Sequence, residues 1–339
     1  MNLKRSIEIQ SNLPMSGTKI TARTKKSTRS APPTKKAAKA HPGKSQGWRI
    51  RHVDSLAIIQ ANSFAAQKWL AHGFSTRLGG SSELTLSRPP IRKENVLNLG
   101  FVDWDSRAHV ENNRKKFMKA IGAADARLIA LRQFHSDTIQ VVDATPAQPL
   151  SGDALITATP GLLIAVQTAD CVPILLADTR NRIVAVIHAG WRGTLKRIAE
   201  KVVGRMRMIF GTEPANILAA LGPGIGQCCF EVGPDVVKEY ASQFTPAREW
   251  FEGPFDQLTS GEDPNPLPWL NMRPPGHQPP EPRAYLDLHA ANRFILESAG
   301  VPARNITAID LCTASRTDLL FSYRREKPTG RLMAAIAIR

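Results

Sequence analysis

Three side chains of this 339-residue chain have the types and the placement to do chemistry together: Cys171, His188 and His135. The segment "IVAVIHAGWRGT" (183–194) runs five apolar residues into His188 and then sets a Trp-Arg pair between two glycines. The segment "CVPILLA" (171–177) comes just before it, separated by "DTRNR". If the two form a hairpin around that turn, Ala177 faces Ile183 and Cys171 falls opposite Ala189, one residue from His188. Cross-strand neighbours lie about 5 Å apart, so a thiol and an imidazole meet at one end of the hairpin. Two chemistries use such a pair. The imidazole can generate a thiolate nucleophile, as in a metal-free Cys–His hydrolase. Alternatively both bind zinc, whose catalytic sites take three protein ligands and leave one position open. His135, in "RQFHSDTIQVVD", precedes a strand and is the third candidate ligand. One Cys with two His is a known catalytic zinc set. The bland alternatives are a buried spectator cysteine and a hydrogen-bonded surface histidine.

The neighbouring residues add to the case. "QTADC" places Gln167, Thr168 and Asp170 at the end of an apolar strand, directly before Cys171. Arg192 follows His188 by four residues, near a predicted helix start, where free N–H groups and a guanidinium fork both suit an anion. Gly190 and Gly193 let backbone approach a ligand closely. Trp191 is read as packing against the sheet rather than stacking on a ligand. "GPGIGQCC" is another glycine turn able to shape a pocket rim, and it is neither a Walker loop nor a dinucleotide fingerprint.

The elements that must position these residues are legible as periodicity. "DALIT", "LLIAVQT", "CVPILLAD" and "RIVAVIH" are strands rich in Val, Ile and Leu, with "TIQVVD" before them. "WRIRHVDSL" and "AHGFSTRLGG" are short strands broken by glycine, and "ANILAALGPGIG" is a strand entering a turn. Helices are expected over "DWDSRAHVENNRKKFMKAIGA" with Asp105 as its cap, over "TLKRIAEKVVGRMRMIFG" with Thr194 as cap and Gly211 as stop, over "PDVVKEYASQF", and over "DLHAANRFILESAG" capped by Asp287. "NITAIDLCT" and "RLMAAIAIR" close the chain as strands. Residues 246–282 hold ten of the 25 prolines and are read as a long loop. Strands come in runs with helices between them, which is α+β (mixed α/β) rather than strict βαβ alternation.

Composition bounds the rest. Residues 1–47 carry eleven Lys/Arg against one acid, Glu8, hence +10 of the net +16. That stretch is too polar and charged to bury a core and is read as a disordered basic tail, able to touch nucleic acid weakly. A single domain is expected over 48–339. No apolar run of membrane-spanning length occurs, the first residues lack a signal-peptide centre, and four cysteines are too few for a disulfide framework, so a reduced, cytoplasmic protein is expected.

The blocks "HGFSTRLGG", "LNLG", "QFHSDTIQVVD", "DALIT", "QTADCVPILLAD", "VIHAGWRGT", "LGPGIGQCCFEVG", "YLDLHAANR", "LCT" and "FSYRREKPTGR" occur in order. Together they resemble the laccase-domain (YfiH-like, "multicopper polyphenol oxidase") family of purine nucleoside phosphorylases, over about residues 71–338. The resemblance implies a four-layer α/β/β/α arrangement with mixed sheets, grouped with cysteine hydrolases by fold. It implies a zinc site on His135, Cys171 and His188, the triplet reached above from the hairpin. It implies phosphorolysis of adenosine, inosine, guanosine and methylthioadenosine, with purine nucleosides and phosphate as partners, and deamination of adenosine. Arg77, Asn98 (in "LNLG"), Asp170 and Arg192 are the candidate substrate-binding residues, with Arg192 and Arg77 as phosphate clamps.

The laccase label implies copper and phenol oxidation instead, yet the chain has eight histidines and no His-x-His pair of the kind that holds several coppers. It also lacks the Cys-x-x-Cys that pairs with His-x-Glu in the nucleobase deaminases. A module that only senses a purine is the rival from outside enzymology. The basic tail and a long 246–282 segment depart from the family pattern, as does "GPGIG", where a serine is common at the third position.

Overall fold

The structure is a computed structural model and describes residues 47–86, 92–260 and 282–339. The basic stretch, Gly47 apart, and residues 261–281 of the proline-rich stretch lie outside the described residues, as does the nucleic-acid contact expected of the tail.

Two six-stranded mixed sheets carry the fold. The first runs in the order Trp48–Val53, Leu56–Ala61, Leu70–Ser75, Leu332–Ile338, Leu162–Thr168, Arg127–Ala130. The second runs Ile306–Ala308, Ile217–Leu221, Val172–Asp178, Ile183–Ala189, Ala154–Thr157, Ile139–Val141. Parallel pairs join the strands Arg127–Ala130 and Leu162–Thr168 in the first sheet and both outer pairs of the second; the remaining pairs are antiparallel.

The period-2 alternation of the strands divides the core into layers. Along Val172–Asp178, Leu175 and Ala177 face the first sheet and, with Val184 and Val186 of the neighbouring strand, join a cluster that includes Val166, Ala334 and Ile336 of that sheet. Val172, Ile174 and Leu176 face the other way, onto the helices Ile198–Phe210, Pro234–Gln243 and Leu288–Ser298. On the far side of the first sheet, Leu163, Ala165, Met333 and Ala335 pack on the helix Arg107–Ala120 through Phe117 and Ala120. The central strands of both sheets are therefore buried on both faces, which is why they read as unbroken apolar runs. The order is helix, sheet, sheet, helix: the expected α/β/β/α layering.

Local structure corrects several expectations. The central hairpin is shifted by one residue: Asp178 pairs with Ile183 and Pro173 with His188. Asp178 belongs to the strand because its Oδ1 accepts the N–H groups of Arg180 and Asn181, closing a shorter turn. Ser106, not Asp105, caps the Arg107–Ala120 helix by accepting from the His109 N–H, whereas Asp105 accepts from Ser82 and Asn98. The helix expected to start at Thr194 is two helices, Trp191–Leu195 and Ile198–Phe210, separated at Arg197 with φ +56°. Gly211 ends the second at φ +64°, as expected of a left-handed stop. Asp287 caps Leu288–Ser298 as expected.

The described part of the proline-rich stretch holds regular structure, with a 3₁₀ turn over Thr245–Trp250 and a helix over Phe255–Ser260. Trp250, Phe251 and Phe255 are buried there, an aromatic cluster that outweighs the prolines. The strand Leu56–Ala61 and the hairpin of Leu78–Leu86 with Arg92–Val96 went unread in the sequence.

The layering is tested by two single truncations. Leu175→Ala, at a fully buried position between the sheets, is expected to cost about 2–5 kcal/mol. Met208→Ala, on the outer face of its helix and 72 % exposed, is expected to stay within about 0.5 kcal/mol of the parent. Urea midpoints of the two variants check this, and equal losses would contradict the assignment of layers.

Candidate functional site

The ligand atoms of His135, Cys171 and His188 all lie within 4.8 Å of one another. The observed register explains the meeting better than the expected one. A one-residue slip turns a side chain to the other face of the sheet. With Pro173 opposite His188, Cys171 and His188 share the face between the two sheets and are diagonal neighbours at its end. His135 comes from the loop after the strand Arg127–Ala130 and takes a left-handed backbone, φ +61°. Its ring stands edge-on to that of His188, with centroids 4.9 Å apart. His188 is buried, Cys171 half-buried and His135 exposed, so the group opens to solvent on the His135 side.

One carboxylate holds this arrangement. Asp153, at the entry of the strand Ala154–Thr157, is fully buried. Its Oδ1 accepts from His188 Nδ1 at 2.8 Å and from the His135 backbone N–H at 3.1 Å. Its Oδ2 accepts from both the N–H and the Oγ of Ser136, each at 2.6 Å. A carboxylate only accepts, so His188 must carry its proton on Nδ1 when neutral, and Nε2 is left to face the cluster. A carboxylate behind a histidine is the usual orienting partner of a metal-bound imidazole. The same contacts fix the strained His135 backbone.

Gly190 supplies room: a Cβ there would lie 2.8 Å from Cys171 Sγ and 3.2 Å from His135 Cδ2. Its φ is not left-handed, so space rather than backbone freedom is the reason for glycine at this point.

The charges are mutually supporting. Burial opposes ionisation of all three groups, and the interactions overcome it. His188 and His135 bring the Cys171 thiol down to about 6. Cys171 and Asp153 bring His188 up to about 9. The His188 and Ser136 hydrogen bonds bring Asp153 down to about 2. A thiolate beside imidazole nitrogens is a donor set that zinc fits.

The other expected site residues are placed differently. Arg192 is exposed, its guanidinium 4.2 Å from the Trp191 ring, with no carboxylate partner among the described residues. The helix it sits in spans only Trp191–Leu195, so the guanidinium and not a helix terminus supplies charge there. Arg77 is not free to clamp phosphate: it is buried, bonded to both oxygens of Glu326, to Glu94 and to the Thr317 carbonyl, and lies over Phe321. Asn98 is fully buried and bonds Gly100, Asp105 and the Arg331 N–H. Asp170, at φ +97°, spends its carboxylate on Thr313 Oγ1, Ser322 Oγ and the Arg324 N–H, each at 2.7 Å. Asp170 thereby ties the residue before Cys171 to Thr313, Ser322 and Arg324.

Two residues of the site escaped the sequence reading. Asp153 stood in plain view in "GDALIT", where an acid abuts a buried strand, and that was the available signal. Arg331, held through Asn98, is half-buried, which lowers its pKa, while Tyr323, Asp170 and Cys171 act to raise it.

Residues 71–339 match the family described as "Multi-copper polyphenol oxidoreductase laccase". The chain belongs to this family. It is 38 % identical to a "Purine nucleoside phosphorylase" of Deinococcus radiodurans over 287 residues, 84 % of this chain and 93 % of that protein. It is 36 % identical to "Adenosine deaminase RL5" of an unknown prokaryotic organism over 264 residues, covering 74 % of this chain and 91 % of the relative. The crystal structure of the Bacillus licheniformis hypothetical protein YfiH superposes with a TM-score of 0.69 at 28 % identity, over 86 % of this chain and 99 % of that one. The chain is thus an enzyme, with the YfiH-like fold that its sequence blocks resemble.

Cys171 reactivity reads out the cluster's electrostatics. In metal-stripped protein, iodoacetamide alkylation of Cys171, followed by peptide mapping, is expected to rise through pH about 6. The thiolate is the reacting form, so a lowered pKa moves the onset to lower pH. An onset near that of an unperturbed thiol, about 8.5, would contradict the pairing with His188.

Proposed function

We propose that this enzyme splits purine nucleosides with phosphate and deaminates adenosine, at a zinc ion held by His135, Cys171 and His188. Adenosine, inosine, guanosine and methylthioadenosine are the proposed phosphorolysis substrates. The observation that carries the reading is the meeting of one sulfur and two imidazoles within 4.8 Å, with the inner imidazole anchored to Asp153. The names of the relatives supply the substrate class. Zinc held there would supply Lewis acidity. Arg192, exposed beside the cluster-bearing strand, is the proposed phosphate clamp, through a bidentate guanidinium–phosphate contact. Phe134, 55 % exposed and next to His135, offers a flat apolar face for the base. Asp153 keeps the His188 ring in one orientation, and Gly190 keeps the space around Cys171 clear.

A second reading has its own support. A lowered Cys171 thiol beside a raised His188 that is oriented by Asp153 is also the layout of a metal-free thiol hydrolase. Metal content and chelator sensitivity separate the two: loss of turnover on chelation, restored by zinc, supports the metal reading, and full activity in metal-stripped protein supports the thiol nucleophile. Copper-dependent phenol oxidation finds less support, because among the described residues one candidate cluster alone contains histidine.

Purified full-length chain with inosine is expected to release hypoxanthine only when phosphate is present, and with adenosine to release ammonia without it. Cys171→Ala is expected to lose more than tenfold in both, a loss above about 1.4 kcal/mol, with an unchanged circular dichroism spectrum. Arg192→Lys keeps charge but loses the fork, so it should raise the phosphate concentration needed and spare deamination. Base release that ignores phosphate would overturn the phosphorylase assignment.

A further inference from the structure

Away from the histidines, a second group of soft ligands comes together where the glycine turn after the strand Ile217–Leu221 meets the segment that follows Ile306–Ala308. The sulfurs of Cys228, Cys229 and Cys312 all lie within 4.8 Å of one another. Cys228 Sγ and Cys229 Sγ are 3.6 Å apart. Ser315 Oγ sits 3.4 Å from the first and 3.2 Å from the second. The Gly226 N–H donates to Cys312 Sγ at 3.2 Å. We propose that Cys228, Cys229 and Cys312 form a second metal site, for a soft, thiophilic ion of the copper(I) or zinc class.

The distances suit such an ion. With metal–sulfur bonds of about 2.3 Å, two sulfurs on one tetrahedral centre lie about 3.8 Å apart. The group holds no carboxylate and no imidazole, and three thiolates select copper(I) or zinc over hard cations such as magnesium or calcium. Ser315 or water completes four-coordination for zinc, while copper(I) accepts the three sulfurs as they stand. Each thiol that binds gives up its proton to solvent.

A disulfide is a poorer use of the same atoms. Cys228 and Cys229 are adjacent, and a trans peptide holds their Cα atoms about 3.8 Å apart, below the range that an unstrained disulfide spans. Pairing Cys312 with either one strands the third thiol. Cys228 is exposed and the other two are half-buried, so an ion reaches the group from solvent.

The frame around the thiols is rigid. Gly224 pairs with Cys312 in an isolated bridge, and the Thr313 N–H donates to the Gly224 carbonyl at 2.9 Å. A Cβ on Gly226 would lie 3.1 Å from Cys312 Cβ and 3.5 Å from the sulfurs of Cys228 and Cys312. Both halves of the group also reach Asp170, the residue before Cys171. The Ile225 N–H donates to the Asp170 carbonyl, and Thr313 Oγ1 to its carboxylate, each at 2.7 Å. An ion on the three sulfurs therefore clamps together the two segments that position Asp170.

The test is an anaerobic titration of full-length wild type, Cys312→Ser and Cys171→Ala with zinc and, separately, with copper(I), each against a chromogenic chelator. Wild type is expected to bind one equivalent more than Cys312→Ser, and Cys171→Ala is expected to keep that equivalent. The metal that holds it against the chelator identifies the ion. Binding should also protect the three thiols of Cys171→Ala from a fast thiol reagent and raise the melting temperature of wild type more than that of Cys312→Ser. If Cys312→Ser does not fold, Cys228→Ser, at the exposed ligand, replaces it. Equal stoichiometry in wild type and both serine variants would overturn the site. So would loss of two thiols to a disulfide in air with neither metal retained.

Discussion

A single buried carboxylate sets the geometry of the histidine cluster. Asp153 is fully enclosed, and a charge in that position is tolerable only if its lone pairs are met. They are met by His188, His135 and Ser136, so the same contacts that neutralise Asp153 also aim one imidazole and pin the backbone of the other. Structure and chemistry are coupled there. Loosening the carboxylate frees the loop that carries His135 and the ring of His188 at once.

The layers make that carboxylate possible. The strands Leu162–Thr168, Val172–Asp178, Ile183–Ala189 and Leu332–Ile338 are apolar on both faces, so along them polar groups stand only towards the ends. Asp153, Cys171 and His188 stand at such ends in one sheet, and His135 arrives from a loop that follows a strand of the other. Gly190 then leaves the gap that Cys171 and His135 fill. The surrounding frame of Asn98, Asp170 and Arg331 is bonded from residues far along the chain, which stiffens the floor of the site without itself offering free ligands.

The cluster was legible because its members sit at the ends of strongly apolar runs, where a His or Cys stands out. The fold class followed from the same runs. What sequence could not deliver were contacts whose partners are remote. Asp153 reaches His188 across 35 positions, and Arg77 reaches Glu326 across 249, so no local pattern announces either. That is why Arg77 reads as a free cation in the sequence and is a buried ion-pair partner in the fold. The hairpin register was off by one because Asp178 looks like a turn residue and in fact ends a strand. The helix expected from Thr194 is continuous in its apolar spacing, and only the left-handed Arg197 divides it. Proline content draws the eye away from Trp250, Phe251 and Phe255, which are buried in the core.

The most direct test of the carboxylate's role is the zinc affinity of Asp153→Asn, measured by chelator competition in a Cys312→Ser background so that the histidine cluster alone is read. Asn keeps the size but not the charge. A folded protein with zinc affinity lowered by about 10–100-fold is the expected result, in line with loss of a carboxylate partner behind a metal-bound histidine. Zinc affinity equal to that of the Asp153 parent would contradict it.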